Sequence, residues 1–317
     1  MFCPICGNAA RRFGHDRHAH QRWQCLTCRR TFTERHRRPL GAMRLPFAKA
    51  SDCLLHLIEG MSIRSTERLL GTHRDTIISA LVTAGQNCQR FLETAVRDVV
   101  VEDVQVDELW GFVFCKEKTR LRNDYDEARG DAYWFVGLER HTKLVLAWHL
   151  GKRCPEDTLT FSRKLSEATN GRFHLSTDGY TPYRNAVPSV FGRRVDFAQL
   201  VKIYGTAAEA ERRYIPPQVV GVRALPCIGN PDIGRICTSH VERSNLTMRM
   251  MIRRLTRLTN AHSKKWENHE AALALYFAYY NFCRRHQALD GETPAMASGL
   301  TDGVWTLGEL LRKAGNA

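Results

Sequence analysis

The stretch Val104-Gln105-Val106-Asp107-Glu108-Leu109-Trp110 decides how the rest of the chain is interpreted. It is flanked by the runs Val99-Val100-Val101 and Gly111-Phe112-Val113-Phe114. Short β-branched and aromatic runs of this kind predict a strand that is buried on both faces. An ionised carboxylate in such a setting needs a cation or a strong hydrogen-bonding partner. Asp107 is therefore either a ligand of Mg²⁺, which takes one or two protein carboxylates, or an Asp that caps a turn at the strand end.

The composition points to a polyanionic partner. The 317 residues carry 47 Lys and Arg against 33 Asp and Glu, a formal charge of +14, and binding to phosphates would release counterions. No apolar run approaches the ~20 residues of a membrane span, and Met1-Phe2-Cys3-Pro4 lacks the features of a signal peptide. The odd count of 11 Cys argues against a disulfide framework. We therefore predict a cytoplasmic, nucleoid-associated protein with no membrane association.

Residues 1–38 contain two CxxC turns, and they predict a structural zinc site. The four thiolates would belong to Cys3, Cys6, Cys25 and Cys28, which together complete a tetrahedral Zn²⁺ site. A redox CxxC is the alternative, but it would need one motif on a βαβ unit. The segment holds nine Arg and two acidic residues, so a net charge of 9 − 2 = +7. A zinc ribbon this basic indicates contact with DNA, although a solvated basic face is also possible.

Residues 46–96 predict a helix-turn-helix. Amphipathic helices are expected at Phe47–Ile58 and Ile63–Leu70, followed by the turn Gly71-Thr72 and a third helix from His73 through Val82. The third would be the recognition helix, with Arg74 and Thr76 near its start facing DNA. A helical bundle of another kind is the alternative, because the signature is loose.

From Val99 the periodicity changes to that of a mixed α/β sheet. Strands are predicted at 101–114, 133–138 and 144–150, then a helix at 155–169 and a strand that ends in Thr177-Asp178-Gly179. Asp178 would thus lie at the C-terminal end of a strand, where α/β sheets build their sites. Residues 205–237 are rich in Pro and Gly and are predicted to be a loop-rich insertion.

A long basic helix is predicted from His240 to about Leu258. Glu242 lies in its first turn, and Asn245 and Arg249 follow at i+3 and i+7 on the same face. Arg253 extends the basic character. Asp107, Asp178 and Glu242 are then acidic residues on strand, strand and helix, which is the set that two-metal phosphoryl transfer on a ribonuclease-H-like sheet requires.

Several sequence words occur in the order found in one family. They resemble the DDE transposases of the insertion-sequence-one family, and the closing words look like the tail of many bacterial insertion-sequence transposases. The words are Val106-Asp107-Glu108-Leu109-Trp110-Gly111-Phe112-Val113; Thr177-Asp178-Gly179 with Tyr183; Glu242-Arg243-Ser244-Asn245-Leu246 with Arg249, Leu255, Arg257 and Ser263-Lys264; Tyr280-Asn281-Phe282-Cys283-Arg284-Arg285-His286; and Thr293-Pro294-Ala295.

The resemblance implies a ribonuclease-H-like DDE catalytic domain at 99–290, preceded by the zinc ribbon and helix-turn-helix and followed by a C-terminal tail at 291–317. It implies that Asp107, Asp178 and Glu242 bind Mg²⁺ or Mn²⁺ and that Glu108 assists beside Asp107. It also implies that Asn245, Arg249 and Arg253 face DNA near the scissile phosphate.

The function implied is cleavage and strand transfer at the terminal inverted repeats of a mobile element and at target DNA, by a homodimer or larger assembly. The interval of 242 − 178 = 64 residues is longer than in the family's shorter members, so Glu209 and Glu211 remain alternatives to Glu242. A catalytically silent DNA-binding regulator and a ribonuclease-H-like nuclease are the alternative functions.

Overall fold

The computed structural model describes residues 1–16, 20–33, 39–41, 43–205, 219–256 and 259–317. The N-terminal segment forms a small antiparallel sheet in which β2 pairs with both β1 and β3. Its strands are β1 (Ala10–His15), β2 (Gln21–Cys25) and β3 (Thr31–Thr33). Loops at one end of this sheet bring the two CxxC turns together, which fits a zinc ribbon. Four of the nine predicted arginines, Arg17, Arg35, Arg37 and Arg38, lie outside the described residues.

Three helices follow: α1 (Phe47–Ile58), α2 (Ile63–Leu70) and α3 (Arg74–Ala95). The first two match the predicted bounds because their stop signals are strong. Ser62 caps α2 by accepting a bond from the Ser65 amide, and Gly71 ends that helix in the left-handed conformation. The third helix is longer than predicted, since it continues past Gly85 to Ala95 and lies against a C-terminal helix.

The large sheet has six strands in the order β11-β10-β9-β5-β6-β7. β5, β6 and β7 form an antiparallel meander, β9 is parallel to β5, β10 is parallel to β9, and β11 closes the edge antiparallel to β10. This mixed order is compatible with a ribonuclease-H-like fold. The elements are β4 (Val99–Val100), β5 (Asp103–Val113), α4 (Glu117–Arg122), β6 (Gly130–Glu139), β7 (Val145–Gly151), α5 (Pro155–Ala168), β8 (Thr169–Asn170), β9 (Phe173–Asp178), α6 (Tyr183–Phe191), β10 (Val195–Tyr204) and β11 (Val219–Ile228).

The insertion predicted as loop at 205–237 contains strand β11, so that prediction was wrong for this part. The β-branched run Val219-Val220-Gly221-Val222 extends the sheet by pairing with β10. Pro226 falls beside a register shift on an edge strand, which is where a residue without an amide hydrogen is tolerated in a sheet. Residues 206–218 lie outside the described part of the chain.

The remaining helices are α7 (Ser239–Met251), α8 (Trp266–Phe282), α9 (Pro294–Ala297) and α10 (Leu307–Ala314). α7 ends seven residues before the predicted Leu258, because the chain becomes extended at Ile252 and buries this side chain together with Leu255. Arg253 therefore lies in a 3-10 turn, not on the long helix predicted for it.

The sheet is covered on both faces. α5 contacts β6 and β7 from one side with α6 beside it, whereas α7 and α8 contact β5, β6 and β7 from the other. Asn281 of α8 fixes this second layer, since its amide accepts from the Val145 nitrogen and donates to the Val145 oxygen at 3.0 and 2.9 Å. The bonds satisfy backbone groups of β7, which is an edge strand among the strands that the structure describes. Residues 291–317, predicted as a tail, contain α9 and α10, and α10 contacts α1, α3 and α8.

Candidate active site

The register between two parallel strands brings the first two acidic residues together. β5 pairs with β9 so that Val106 lies opposite Thr177. Asp107 and Asp178 follow immediately, where the pairing of the two strands stops; Asp178 ends β9, whereas β5 continues past Asp107 to Val113. Gly179 comes next and its α-carbon lies near Val201, where an added Cβ would be 3.1 Å from the Val201 side chain. The turn after β9 is therefore tightly confined, and within it the Tyr180 amide donates to Asp178 Oδ1 at 3.0 Å.

The start of α7 is anchored to the same strand. The buried Gln105 side chain accepts hydrogen bonds from the His240 and Val241 amides at 3.0 and 3.3 Å. Amides in the first turn of a helix have no partner within the helix, so this side chain acts as a cap supplied by β5. The anchor holds the first turn of α7 against β5, and farther along the helix the Asn245 Nδ2 donates to Asp107 Oδ2 at 2.8 Å.

Asp107, Asp178 and Glu242 line one cavity of about 620 Å³. Their carboxylates are spaced around it and do not form one tight cluster. Within the described residues, only the N-terminal cysteines form a group of three or more ligand atoms that all lie within 4.8 Å of one another. Oxygen donors spaced around an open cavity suit hard cations such as Mg²⁺, which keep several water ligands. The donor set therefore fits divalent cations of this class.

Two basic side chains reach into the cavity beside the carboxylates. Lys202 of β10 donates to Glu242 Oε1 at 2.5 Å, and Thr238 donates to the same oxygen at 2.5 Å. Arg153, from the turn after β7, lies 3.6 Å from Asp178 Oδ2 and 3.3 Å from Glu108 Oε2. Its guanidinium also stacks over Tyr180, 4.2 Å from the ring centroid. The cavity thus balances three carboxylates against two cations.

Burial and the repulsion of neighbouring carboxylates raise the pKa values of Asp107 and Asp178. Burial and the charge of Asp178 raise the pKa of Asp107 to about 6, although the hydrogen bond from Asn245 opposes the shift. The pKa of Asp178 is raised by burial, against the hydrogen bond from the Tyr180 amide. Carboxylates that are held near one another at this cost are typical of sites that receive cations.

Glu108 has surroundings different from those of Asp107. Its side chain is 2% exposed and accepts a 2.5 Å bond from the hydroxyl of Tyr183 on α6, whereas Asp107 contacts α7. Burial and the nearby Asp178 raise the pKa of Glu108 to about 8. Glu108 is connected to the site through Arg153, which bridges it to Asp178. Glu108 does not line the cavity, and its assistance to Asp107 stays a prediction.

The residues predicted to face DNA are spread over three places. Arg74 and Thr76 lie in the first turn of α3, where Arg74 is exposed beside Asp75. Asn245 is buried against Asp107. Arg249 donates to the Trp110 and Leu255 carbonyl oxygens at 3.1 and 3.5 Å, so it joins α7 to β5 and to the 3-10 turn. Arg253 is exposed. Glu209 and Glu211, the alternatives to Glu242, lie outside the described residues.

The four predicted cysteine ligands meet in one cluster. Cys3 and Cys28 have their sulfur atoms 3.7 Å apart, and those of Cys6 and Cys25 are 3.4 Å apart. A tetrahedral Zn²⁺ with bonds of about 2.3 Å separates its sulfurs by about 3.8 Å, so the cluster fits this ion. Backbone hydrogen bonding from Cys28 lowers the pKa of Cys25 to about 6, which favours the thiolate that a metal requires.

Lys202 and Arg153 were not predicted from the sequence as site residues. Lys202 lies in β10, and its sole signal in the sequence is a cation within the apolar run Leu200-Val201-Lys202-Ile203. Arg153 follows a strand end, next to Lys152, and nothing in its spacing relates it to Asp178. The closeness of both residues to the carboxylates becomes apparent only when β7, β9 and β10 are placed in one sheet.

No family model and no curated protein sequence matches the chain. Among solved structures, it is similar to the cryo-EM structure of the piggyBac transposase synaptic complex with hairpin DNA. The TM-score is 0.39 at 9% sequence identity, and the match covers 85% of this chain and 69% of that chain. We draw no functional conclusion from a similarity this distant. No helix among the described residues is long and apolar enough to cross a membrane.

Proposed function

We propose that the chain is a transposase of the DDE type, which binds the ends of its insertion sequence and catalyses divalent-metal-dependent DNA cleavage and strand transfer. The observation that carries the proposal is the single cavity lined by Asp107, Asp178 and Glu242. Asp107 and Asp178 lie on neighbouring parallel strands just beyond their last paired residues, and Glu242 lies in the first turn of a helix that β5 itself anchors. The strongly basic chain supports DNA as the partner.

The proposed ligands of the metal ions are Asp107, Asp178 and Glu242. When bound, Mg²⁺ or Mn²⁺ would activate the attacking oxygen and stabilise the leaving oxygen of a phosphodiester. The chain's own residues orient the ligands: Asn245 holds Asp107, and Thr238 with Lys202 holds Glu242. Water attacks the terminal phosphodiester first, and the freed 3′-OH then attacks target DNA. Catalysis then rests on positioning and charge stabilisation, with no covalent protein intermediate.

A catalytically silent DNA-binding regulator is a second candidate. The observation in its favour is that Lys202 and Arg153 contact Glu242 and Asp178, where they partly neutralise the charge that metal ions would otherwise balance. In a silent protein these ion pairs would be permanent. In a transposase they would loosen as metal ions bind, and the two side chains would then be available to phosphate oxygens. A ribonuclease-H-like nuclease would share the site and differ only in its products.

The test uses the full-length protein and a labelled DNA fragment that carries one end of the element. Incubation with Mg²⁺ should produce a nick at the element end of the fragment. When a target plasmid is added, the labelled strand should become joined to it. Matched reactions in EDTA should give neither product. Cleavage without joining would favour the nuclease, and specific end binding without either product in Mg²⁺ or Mn²⁺ would favour the regulator.

A further inference from the structure

A second cavity, of about 650 Å³, lies between the N-terminal helices and the C-terminal half of the chain. One wall is formed by α1, α2 and the start of α3, and the other by the segment that connects α7 to α8 and by α8 itself. We call it the α2–α8 cleft. None of the three carboxylates proposed as metal ligands lines it, so it is separate from the cavity that contains them.

The charge in the α2–α8 cleft is almost entirely positive. One carboxylate, Asp75, is found among the described lining residues, and its side chain is 74% exposed beside His73 and Arg74. Against it stand six basic residues from both walls: Arg64, Arg74, Arg253, Arg254, Lys264 and Lys265. All except Arg254 are exposed, so they are free to rearrange around a ligand.

Arg254 is the clearest sign that the cleft lacks its counter-charge. Its Nη1 donates to Ser263 Oγ and to the Asn268 carbonyl oxygen at 3.0 and 3.1 Å, while Nη2 is buried without a partner. No ion pair among the described residues includes Arg254, and burial lowers its pKa to about 10. An enclosed cation with no anion beside it is costly, and a negative ligand nearby offsets that cost.

The same wall repeats the pattern farther along the segment that connects α7 to α8. Lys264 Nζ lies 2.5 Å from His262 Nε2, and this neighbouring positive charge together with burial lowers the pKa of His262. Basic groups here contact each other and backbone oxygens instead of carboxylates. Arg254 is buried behind the wall and would add to the positive electrostatic potential of the cleft. The exposed basic side chains would contact a negatively charged ligand directly.

We propose that the α2–α8 cleft binds the phosphodiester backbone of duplex DNA, held between α2 on one side and the α7–α8 connection on the other. The inference rests on the proposed function only in naming DNA as the polyanion. The charge complementarity of the two walls carries the rest. One duplex would then contact the N-terminal helices and the catalytic half of the chain at once, which would set the position of the bound DNA relative to the carboxylate cavity.

The test compares two charge-reversal double variants of the full-length protein in EDTA, so that cleavage has no influence on the result. Arg64→Glu with Lys264→Glu changes one exposed cation on each wall of the cleft. Arg163→Glu with Arg193→Glu makes the same change in net charge on the exposed surfaces of α5 and of the 3-10 turn after α6, on the other face of the sheet. Binding to a fluorescent 30-base-pair duplex of arbitrary sequence is measured by anisotropy across a salt series.

The cleft variant should bind at least tenfold more weakly at about 0.1 M salt and show a shallower salt dependence, while the control stays within about twofold of the parent. Equal losses in both variants, or no loss in either, would overturn the proposal. Displacement of the duplex by millimolar inorganic phosphate at constant ionic strength would assign the cleft to free phosphate and overturn it as well. Because no metal is present, either failure would leave the proposed cleavage chemistry untouched.

Discussion

Two carboxylates on β5, four residues apart, have opposite electrostatic surroundings. Asp103 is fully buried, with Arg140 at 3.1 Å, Arg235 at 3.5 Å and His174 at 3.7 Å. Burial would raise the pKa of Asp103, but the hydrogen bonds and charges of His174 and Arg140 prevail and lower it. Asp107 instead faces two further carboxylates, and its pKa is raised. The charge of a carboxylate whose partners are cations is balanced by the protein itself. A carboxylate that faces other carboxylates needs a cation from outside the protein to balance its charge.

The contrast predicts the pH dependence of stability. The pKa of Asp103 is lower in the folded than in the unfolded chain, so its contribution is present above the unfolded value of about 4 and is lost as pH falls below it. Asp103→Asn leaves Arg140 without its buried partner and should lower the free energy of unfolding at pH 7 by about 3 kcal/mol. Urea unfolding between pH 3 and pH 7 measures this, with the exposed Asp302→Asn as control. An Asp103→Asn variant as stable as the control at pH 7 would refute the assignment.

At the scale of elements, the contact between α3 and α8 depends on one glycine. A Cβ added to Gly85 would lie 2.3 Å from the Ala271 carbonyl oxygen and 2.4 Å from its Cα, so the two backbones touch there. The sequence predicted the third helix only as far as Val82, since a glycine inside a helical pattern lowers helix propensity. The structure shows that the glycine permits close packing and that the helix continues to Ala95.

Two glycine substitutions separate propensity from packing. Gly85→Ala should destabilise the protein by about 2 kcal/mol or more, because the clash involves backbone that cannot move without separating the helices. Gly308→Ala, in the first turn of α10, has its nearest outside atoms at 3.6 Å or more and should be neutral or stabilise by up to about 1 kcal/mol. Thermal and urea unfolding measure both. If Gly85→Ala also proved neutral, the close approach of α3 and α8 would be refuted.

The cysteine cluster makes a prediction about the N-terminal sheet. The full chain should contain one zinc ion, and the Cys25→Ser, Cys28→Ser double variant should contain close to none, because two of four ligands are lost. Metal analysis of the purified proteins measures this. Cys227→Ser, which changes an exposed cysteine far from the cluster in sequence, should keep its zinc. Equal zinc content in the double variant and the parent would exclude the proposed site.

At the scale of the whole molecule, the N-terminal helices are joined to the C-terminal part of the chain through aromatic packing. Phe91 of α3 lies 5.1 Å from Phe282 of α8 and 5.8 Å from Trp305, and the last two rings stack at 4.6 Å. The segment 291–317 therefore contributes to the same core as α3. An N-terminal fragment that ends near Val96 would expose this surface, so end binding is best measured with the full chain.

Local signals predicted much of the fold and proposed site, while long-range contacts did not follow from them. The β-branched and aromatic runs around Asp107 and the Thr177-Asp178-Gly179 strand end predicted two carboxylates on strands of one sheet, and the Gly71-Thr72 turn predicted the end of α2. Strand β11 was not predicted because Gly221 and Pro226 interrupt its β-branched run. The strand forms by pairing with β10, and that contact cannot be read from the local sequence. Lys202 and Arg153 were missed for the same reason, since their partners are distant in sequence.

The most direct test of the central claim measures cleavage and strand transfer on a pre-nicked element end, beside binding of the same end. Asp107→Asn, Asp178→Asn and Glu242→Gln each keep the shape of the side chain and remove one charge from the cavity. Each should lower the rate by about 10³-fold or more, while end binding changes little. Glu209→Gln and Glu211→Gln should cleave normally. Near-normal cleavage by Asp178→Asn, or by Glu242→Gln with either of those two variants inactive, would contradict the proposed triad.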